Sequence, residues 1–128
     1  MNVIFTCGGT GGHINPAIAI ANVLKERHPD ANILFVGASG EMEENLVPRA
    51  GFPIKTVRCA GFSREFNKNG IMWNIKAVGT VRRAVKSCEQ IVAEFKPDVI
   101  VGTGGYASFP ALKMGAKMNI PTAVHEAN

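Results

Sequence analysis

Two glycine-rich stretches hold most of the chemistry that this chain displays. Gly8-Gly9-Thr10-Gly11-Gly12-His13 follows the apolar run Asn2 to Thr6, and Gly102-Thr103-Gly104-Gly105-Tyr106 follows Asp98 to Val101. Both read Gly-Thr-Gly-Gly and then a ring residue, and each leads to a proline–alanine pair, Pro16-Ala17 and Pro110-Ala111. Glycine lets the backbone approach a ligand closely and adopt positive φ. A glycine loop that feeds a helix presents unpaired N–H groups and partial positive charge. Two such termini side by side can bind a diphosphate without a metal or an organic cofactor. The plainer alternative is that these glycines only make tight turns. The internal echo favours a ligand, because it repeats at the carboxyl edge of the expected sheet, where ligands of such folds bind.

Other phosphate motifs fit less well. A P-loop requires Gly-Lys-Ser/Thr, and His13 stands where the lysine would be. A dinucleotide fingerprint requires GxGxxG and an acid near the end of the second strand. Asn15-Pro16 replaces the close of that pattern, and the second strand ends Val36-Gly37-Ala38. Binding of NAD or FAD is not expected.

The elements that would position these loops follow from periodicity. Asn2 to Thr6, Ile33 to Val36, Ile54 to Val57, Asp98 to Val101 and Pro121 to Val124 read as five short strands. Ile14, Ala17, Ile18, Ala21 and Leu24 have helical spacing, and Asn15 before Pro16 reads as an N-cap with proline at the first helical position. Met42 to Arg49 is a short helix. Val78, Val81, Val85, Cys88, Val92 and Phe95 form the core stripe of a long one, ended by Lys96-Pro97. Ser108 caps a further helix that runs to about Met118. The alternation predicts an α/β, doubly wound, Rossmann-like parallel sheet with right-handed crossovers and strand order 3-2-1-4-5, the switch point lying between strands 1 and 4. No internal boundary interrupts residues 1–128. The chain stops at Asn128, just after the fifth strand, so part of a larger protein is expected.

Composition narrows the classes. A chain of 128 residues with 46% hydrophobic and 19% charged residues builds one globular domain. No apolar run approaches the roughly 20 residues of a membrane span, and MNVIFTC lacks a basic leader, so no signal peptide is expected. Cys7, Cys59 and Cys88 form no CxxC pair, which points to reduced thiols in the cytosol and no zinc site. The net charge is +4, but nine of the fourteen basic residues lie between Arg49 and Lys86, with Glu65 the single acid in that span. Such a patch attracts a polyanion: nucleic acid, a membrane surface or an anionic substrate.

The glycine loop Gly8 to His13 with Pro16-Ala17, the segments Met42-Glu43 and Leu46-Val47-Pro48, the loop Gly104 to Ser108 with Pro110, and His125-Glu126-Ala127-Asn128 together resemble the MurG family of bacterial N-acetylglucosaminyltransferases. Ala127 stands where the family has glutamine. The resemblance runs from Val3 to Asn128 and implies the acceptor-binding, N-terminal half of a GT-B fold, with the donor-binding C-terminal domain absent. It further implies inverting transfer of GlcNAc from UDP-GlcNAc to the MurNAc C4 hydroxyl of lipid I, which forms lipid II for peptidoglycan. It places the protein on the cytoplasmic face of the cell membrane as a peripheral enzyme. Lipid I carries a diphosphate, the group that the two glycine loops suit.

Roles follow from that resemblance. Backbone amides of Gly11, Gly12, Gly104 and Gly105 would hold the acceptor diphosphate, with Tyr106 beside them either on the acceptor or in packing. Thr10, Gly11, Gly12 and Asn128 would face UDP-GlcNAc. His13 is the candidate general base or an orienting group, with a structural histidine as the alternative, and Glu126 would contact sugars or orient His13. Met72, Trp73, Lys76, Arg82 and Arg83 combine apolar and cationic side chains suited to an anionic membrane; alternatively Met72 and Trp73 pack under the polar loop of residues 60–70. The isolated chain is expected to be inactive and to bind UDP-GlcNAc weakly. A non-catalytic membrane-associated subunit that completes an enzyme with a separate donor-binding chain shares these features. A nucleic-acid binder does not, for want of a recognition motif or aromatic interleaving.

Overall fold

The computed structural model describes residues 1–59 and 68–126, and side chains for 1–59 and 78–126. Five strands form one sheet: β1 (Asn2–Thr6), β2 (Asn32–Ala38), β3 (Ile54–Val57), β4 (Val99–Gly102) and β5 (Thr122–Val124). Their order is β3-β2-β1-β4-β5 and every pairing is parallel, as the alternation of elements predicted. The helices between them are α1 (Gly11–Arg27), α2 (Glu43–Arg49), α3 (Lys68–Phe95) and α4 (Phe109–Lys117), the last preceded by a 3-10 turn at Tyr106–Ser108.

The period-2 alternation of β1 sorts the two cores. Val3 and Phe5 face α1 and α2, where they meet Ile14, Ala17, Ala21, Phe35 and Val47. Phe5 and Phe35 stack there with ring centroids 5.4 Å apart. Ile4 faces the other way, toward Ala84, Cys88 and Val92 of α3 and Ala111 and Met114 of α4. Helices therefore cover both faces, and the carboxyl ends of all five strands share one edge.

Three local expectations need correction. Helix α1 starts at Gly11, not at Pro16: the Thr10 carbonyl accepts from both His13 N and Ile14 N at 3.1 Å, so Thr10 is the N-cap residue. Pro16 then sits inside the helix, and its missing N–H leaves the Gly12 carbonyl without its usual donor. Among the described side chains of α3, Cys88 and Val92 of the expected stripe are buried and Val85 and Phe95 pack on the core, but Ala84 is buried as well and Val78 is 46% exposed. Ser108 holds the N-cap position of α4, but its hydroxyl donates backward to the Gly105 carbonyl at 2.8 Å instead of capping the helix.

Candidate functional site

The register of the sheet brings the two glycine loops together. Thr6 and Gly102, the last residues of β1 and β4, are paired neighbours. Thr103 N donates to the Thr6 carbonyl at 3.1 Å, and its hydroxyl donates to the His13 carbonyl at 2.6 Å. Gly105, at φ 83° and ψ 154°, lies against the Gly8 carbonyl oxygen so closely that a Cβ would collide with it. Gly104, at φ 112°, carries the His13 ring where its side chain would be, with Cδ2 2.6 Å from an ideal Cβ position. Two loops separated by about ninety residues thus form one continuous surface around His13.

The amides on that surface divide into two kinds. Among the described residues, no acceptor meets the N–H groups of Gly11, Gly12, Gly104 or Gly105, and none of these four glycines is buried. The Gly9 amide, by contrast, is committed: it donates to Glu43 Oε2 at 3.2 Å. His13 Nδ1 and the Thr10 hydroxyl form a 3.0 Å hydrogen bond whose direction follows the ring's tautomer. That bond leaves Nε2 beside Gly104, facing the second loop.

The remaining candidates are scattered by the fold. Tyr106 is partly buried, with its ring against Gly9 and its hydroxyl donating to Glu41 Oε1 at 2.8 Å. Burial first, then the hydrogen bond and charge of Glu41, push its phenol up to about 12. Glu126 lies on exposed chain after β5 and is not joined to His13, whose ring is held by Thr10. Asn128 and the side chains of Met72, Trp73 and Lys76 lie outside the described residues. Cys7, immediately before the first loop, is buried, and burial pushes its thiol up to about 12, with the nearby Glu43 carboxylate adding to the rise. A thiol so raised is no nucleophile at neutral pH.

Arg82 and Arg83 serve different surfaces, since adjacent helical residues do not share a face. Arg82 lines an open groove of about 600 Å³ between α3 and α4. Val81, Val85, Met114 and the exposed Phe109 line it, together with Arg82, Lys86, Lys113, Lys117 and one acid, Glu89. Arg83 joins Arg58, Ser39 and Ser87 around a recess of about 550 Å³ beside the ends of β2 and β3.

Sequence reasoning missed two acids, Glu41 and Glu43. Glu43 is fully buried; its Oε1 accepts from Ala38 N at 2.8 Å while Oε2 takes Gly9 N. A glutamate in the first turn of a short helix reads as a solvated residue that complements the helix dipole. The signal that could have found it is the pair of buried glycines, Gly8 and Gly37, whose absent side chains make room for it.

The chain matches known proteins in sequence and in fold. The sequence profile of the glycosyltransferase family 28 N-terminal domain matches residues 3–128. The UDP-N-acetylglucosamine–N-acetylmuramyl-(pentapeptide) pyrophosphoryl-undecaprenol N-acetylglucosamine transferase of Phocaeicola vulgatus is 47% identical over all 128 residues, which cover 33% of that protein. The transferase of the same description from Alkaliphilus oremlandii is 44% identical, and the chain covers 34% of it. The crystal structure of Acinetobacter baumannii MurG superposes with a TM-score of 0.81 at 26% identity, covering 98% of this chain and 35% of that one. The chain thus spans about a third of the length of the relatives it matches.

Proposed function

The chain belongs to the glycosyltransferase family 28 N-terminal domain family, and on that premise we propose that it supplies the acceptor half of a GlcNAc transferase that makes lipid II from lipid I. The observation that carries this reading is the set of four unengaged amides, Gly11, Gly12, Gly104 and Gly105, on two touching loops beside His13. Such a surface suits a diphosphate: backbone donors and the N-terminal end of α1 meet negative charge without a counter-ion. The MurNAc C4 hydroxyl of the acceptor would then lie near His13. That hydroxyl attacks C1 of GlcNAc from the face opposite UDP, the C1–O bond to the phosphate breaks with its electron pair leaving on UDP, and the hydroxyl proton passes to the imidazole. Thr10, with Gly11 and Gly12, would face the donor, and its uridine would be held outside these residues.

The groove between α3 and α4 fits the lipid side of the same reading. Its apolar lining and its four basic residues against the single acid Glu89 match a surface that rests on anionic headgroups while a polyprenyl chain passes into the bilayer. Among the described residues no helix is long and apolar enough to cross a membrane. Reversing Arg82 and Lys86 to glutamate together with Phe109→Ser should abolish co-sedimentation with phosphatidylglycerol vesicles; undiminished binding would remove the membrane part.

The deciding experiment is titration of the chain with inorganic pyrophosphate and a soluble prenyl-diphosphate MurNAc analogue, followed by backbone amide shifts. Shifts should centre on Gly11, Gly12, Gly104 and Gly105, with no turnover by this chain alone. Shifts confined to the Arg58–Arg83 recess would overturn the assignment, and turnover would overturn the division of labour.

A further inference from the structure

The stretch from the end of β2 into the first turn of α2 touches both glycine loops, each through one carboxylate. Glu43 reaches the first loop and Glu41 the second: Glu43 Oε2 accepts from Gly9 N at 3.2 Å, and Glu41 Oε1 accepts from the Tyr106 hydroxyl at 2.8 Å. The Tyr106 ring in turn packs on Gly9, so the two contacts meet. Glu43 is also tied to its own strand end by Ala38 N at 2.8 Å.

The backbone is cut to fit this carboxylate. Neither Gly8 nor Gly37 has positive φ, so neither is glycine for conformational reasons. A Cβ on Gly8 would collide with Glu43 Oε1, and one on Gly37 would collide with its Cγ. The ends of β1 and β2 therefore give up their side chains to admit one from α2. Among the described residues no cation pairs with Glu43. A fully buried carboxylate without a cation is costly to stability, and burying an apolar residue there would stabilise the fold more simply. Its charge also opposes any anion on the adjacent loop. What it contributes is direction: it withdraws the Gly9 amide from the ligand surface and fixes where the loop turns into Gly11 and Gly12.

We propose that Glu41 and Glu43 form a clasp that sets the spacing between the two amide-lined loops, and so act as positioning residues for the acceptor diphosphate. This rests on the diphosphate reading of the loops given above.

The test uses the chain itself, with inorganic pyrophosphate and the soluble prenyl-diphosphate analogue as probes. Glu43→Gln keeps the volume but offers one acceptor oxygen where two amides need one each, so Gly9 or Ala38 loses its partner. Affinity for both probes should fall by about tenfold, the equivalent of one lost charge-assisted bond. Glu41 is partly exposed, so Glu41→Ala tests the second arm with less disturbance of the core than a change at Glu43. It should weaken binding several-fold, and Glu41→Gln, which still accepts from Tyr106, should restore it. In the absence of any probe, Glu41→Ala should move the amide resonances of Gly104 and Gly105, and Glu43→Gln those of Gly11 and Gly12. Failure of the unaltered chain to bind either probe refutes the diphosphate reading. Unchanged probe-free resonances in folded variants, or affinities equal to that of the unaltered chain, refute the clasp. Melting points that fall while affinity holds assign Glu43 to stability alone and refute it equally.

Discussion

Replacing Gly105 with alanine tests the convergence of the loops directly, because two costs coincide at that residue. The first is conformational. Gly105 sits at φ 83° and ψ 154°, a region that only glycine occupies readily, and holding another residue there costs about 1–3 kcal/mol. The second is spatial. The new Cβ would fall on the Gly8 carbonyl oxygen, which is backbone and cannot rotate away, and would come within 3.3 Å of His13 Nδ1. Forcing such a contact costs a further ~1–3 kcal/mol. The expected loss is therefore about 4 kcal/mol against a domain stability of roughly 5–15 kcal/mol. At this chain length that is a fall of roughly 10–20 °C in melting temperature. Gly51→Ala supplies the reference. Gly51 has φ 91°, but a Cβ there would meet nothing within 4 Å, so only the backbone cost of ~1–2 kcal/mol applies. Urea unfolding followed by circular dichroism gives both values. The excess for Gly105, about 2 kcal/mol, reports the contact between the loops. Equal losses at the two positions, within about 0.5 kcal/mol, would mean that the loops do not touch, and the composite anion surface would go with them.

Tyr106 is the chain's single tyrosine, so phenolate absorbance reports it alone. Its titration should centre near 12, and Glu41→Ala should move the midpoint back toward 10 by removing the hydrogen bond and the charge, though not the burial. The fold favours the neutral phenol, so this stabilisation is complete below pH 10 and disappears as pH rises through 12. Two pH units correspond to ~2.7 kcal/mol for a fully buried group; solvent screening of this partly exposed ring reduces that to about 1 kcal/mol. A midpoint unmoved by the substitution would refute the Glu41–Tyr106 bond. Thiol labelling at neutral pH should modify Cys59 first, since it is partly exposed, whereas Cys7 and Cys88 are buried with thiols pushed up to about 12. Equal rates for all three would contradict the packing of both cores.

The strand order and the glycine loops were legible in the sequence because each depends on local pattern. Strand apolar runs alternate with helical spacings, and parallel pairing with the switch point at strands 1 and 4 follows from that alternation. The start of α1 was not legible for the same reason turned round. Asn15-Pro16 is a strong local start signal, while Gly11 and Gly12 are poor helix formers. The helix nevertheless begins at Gly11, since tertiary bonds fix that turn, above all the Thr103 hydroxyl on the His13 carbonyl. The α3 stripe drifted for a different reason. The expected stripe holds at Cys88 and Val92, which are buried, but it starts too early at Val78, which is exposed, and omits the buried Ala84, whose small side chain carries little hydrophobic signal. The burial of Glu43 had no local sign, because it is created by glycines that lie 35 residues before it and 6 residues before it in the chain.

The two Gly-Thr-Gly-Gly echoes are alike in sequence and unlike in structure, and the difference assigns them separate tasks. In the first, Gly9 takes positive φ while Gly11 and Gly12 enter α1 directly. In the second, Gly104 and Gly105 both take positive φ and a 3-10 turn intervenes before α4. The threonines differ as well, since Thr10 is exposed and Thr103 is buried. Yet both threonines end on the same residue: Thr10 bonds the His13 ring at Nδ1, and Thr103 bonds the His13 carbonyl. The repeated motif therefore does more than duplicate an amide surface. One copy orients the imidazole and the other holds its backbone, so that the ring is fixed from both sides of the switch point with Nε2 turned toward the second loop. The Thr103 bond to a carbonyl would serve any residue at position 13, whereas the Thr10 bond needs the imidazole. The acid–base role proposed for His13 draws its structural support from the ring bond to Thr10, which leaves Nε2 toward the second loop.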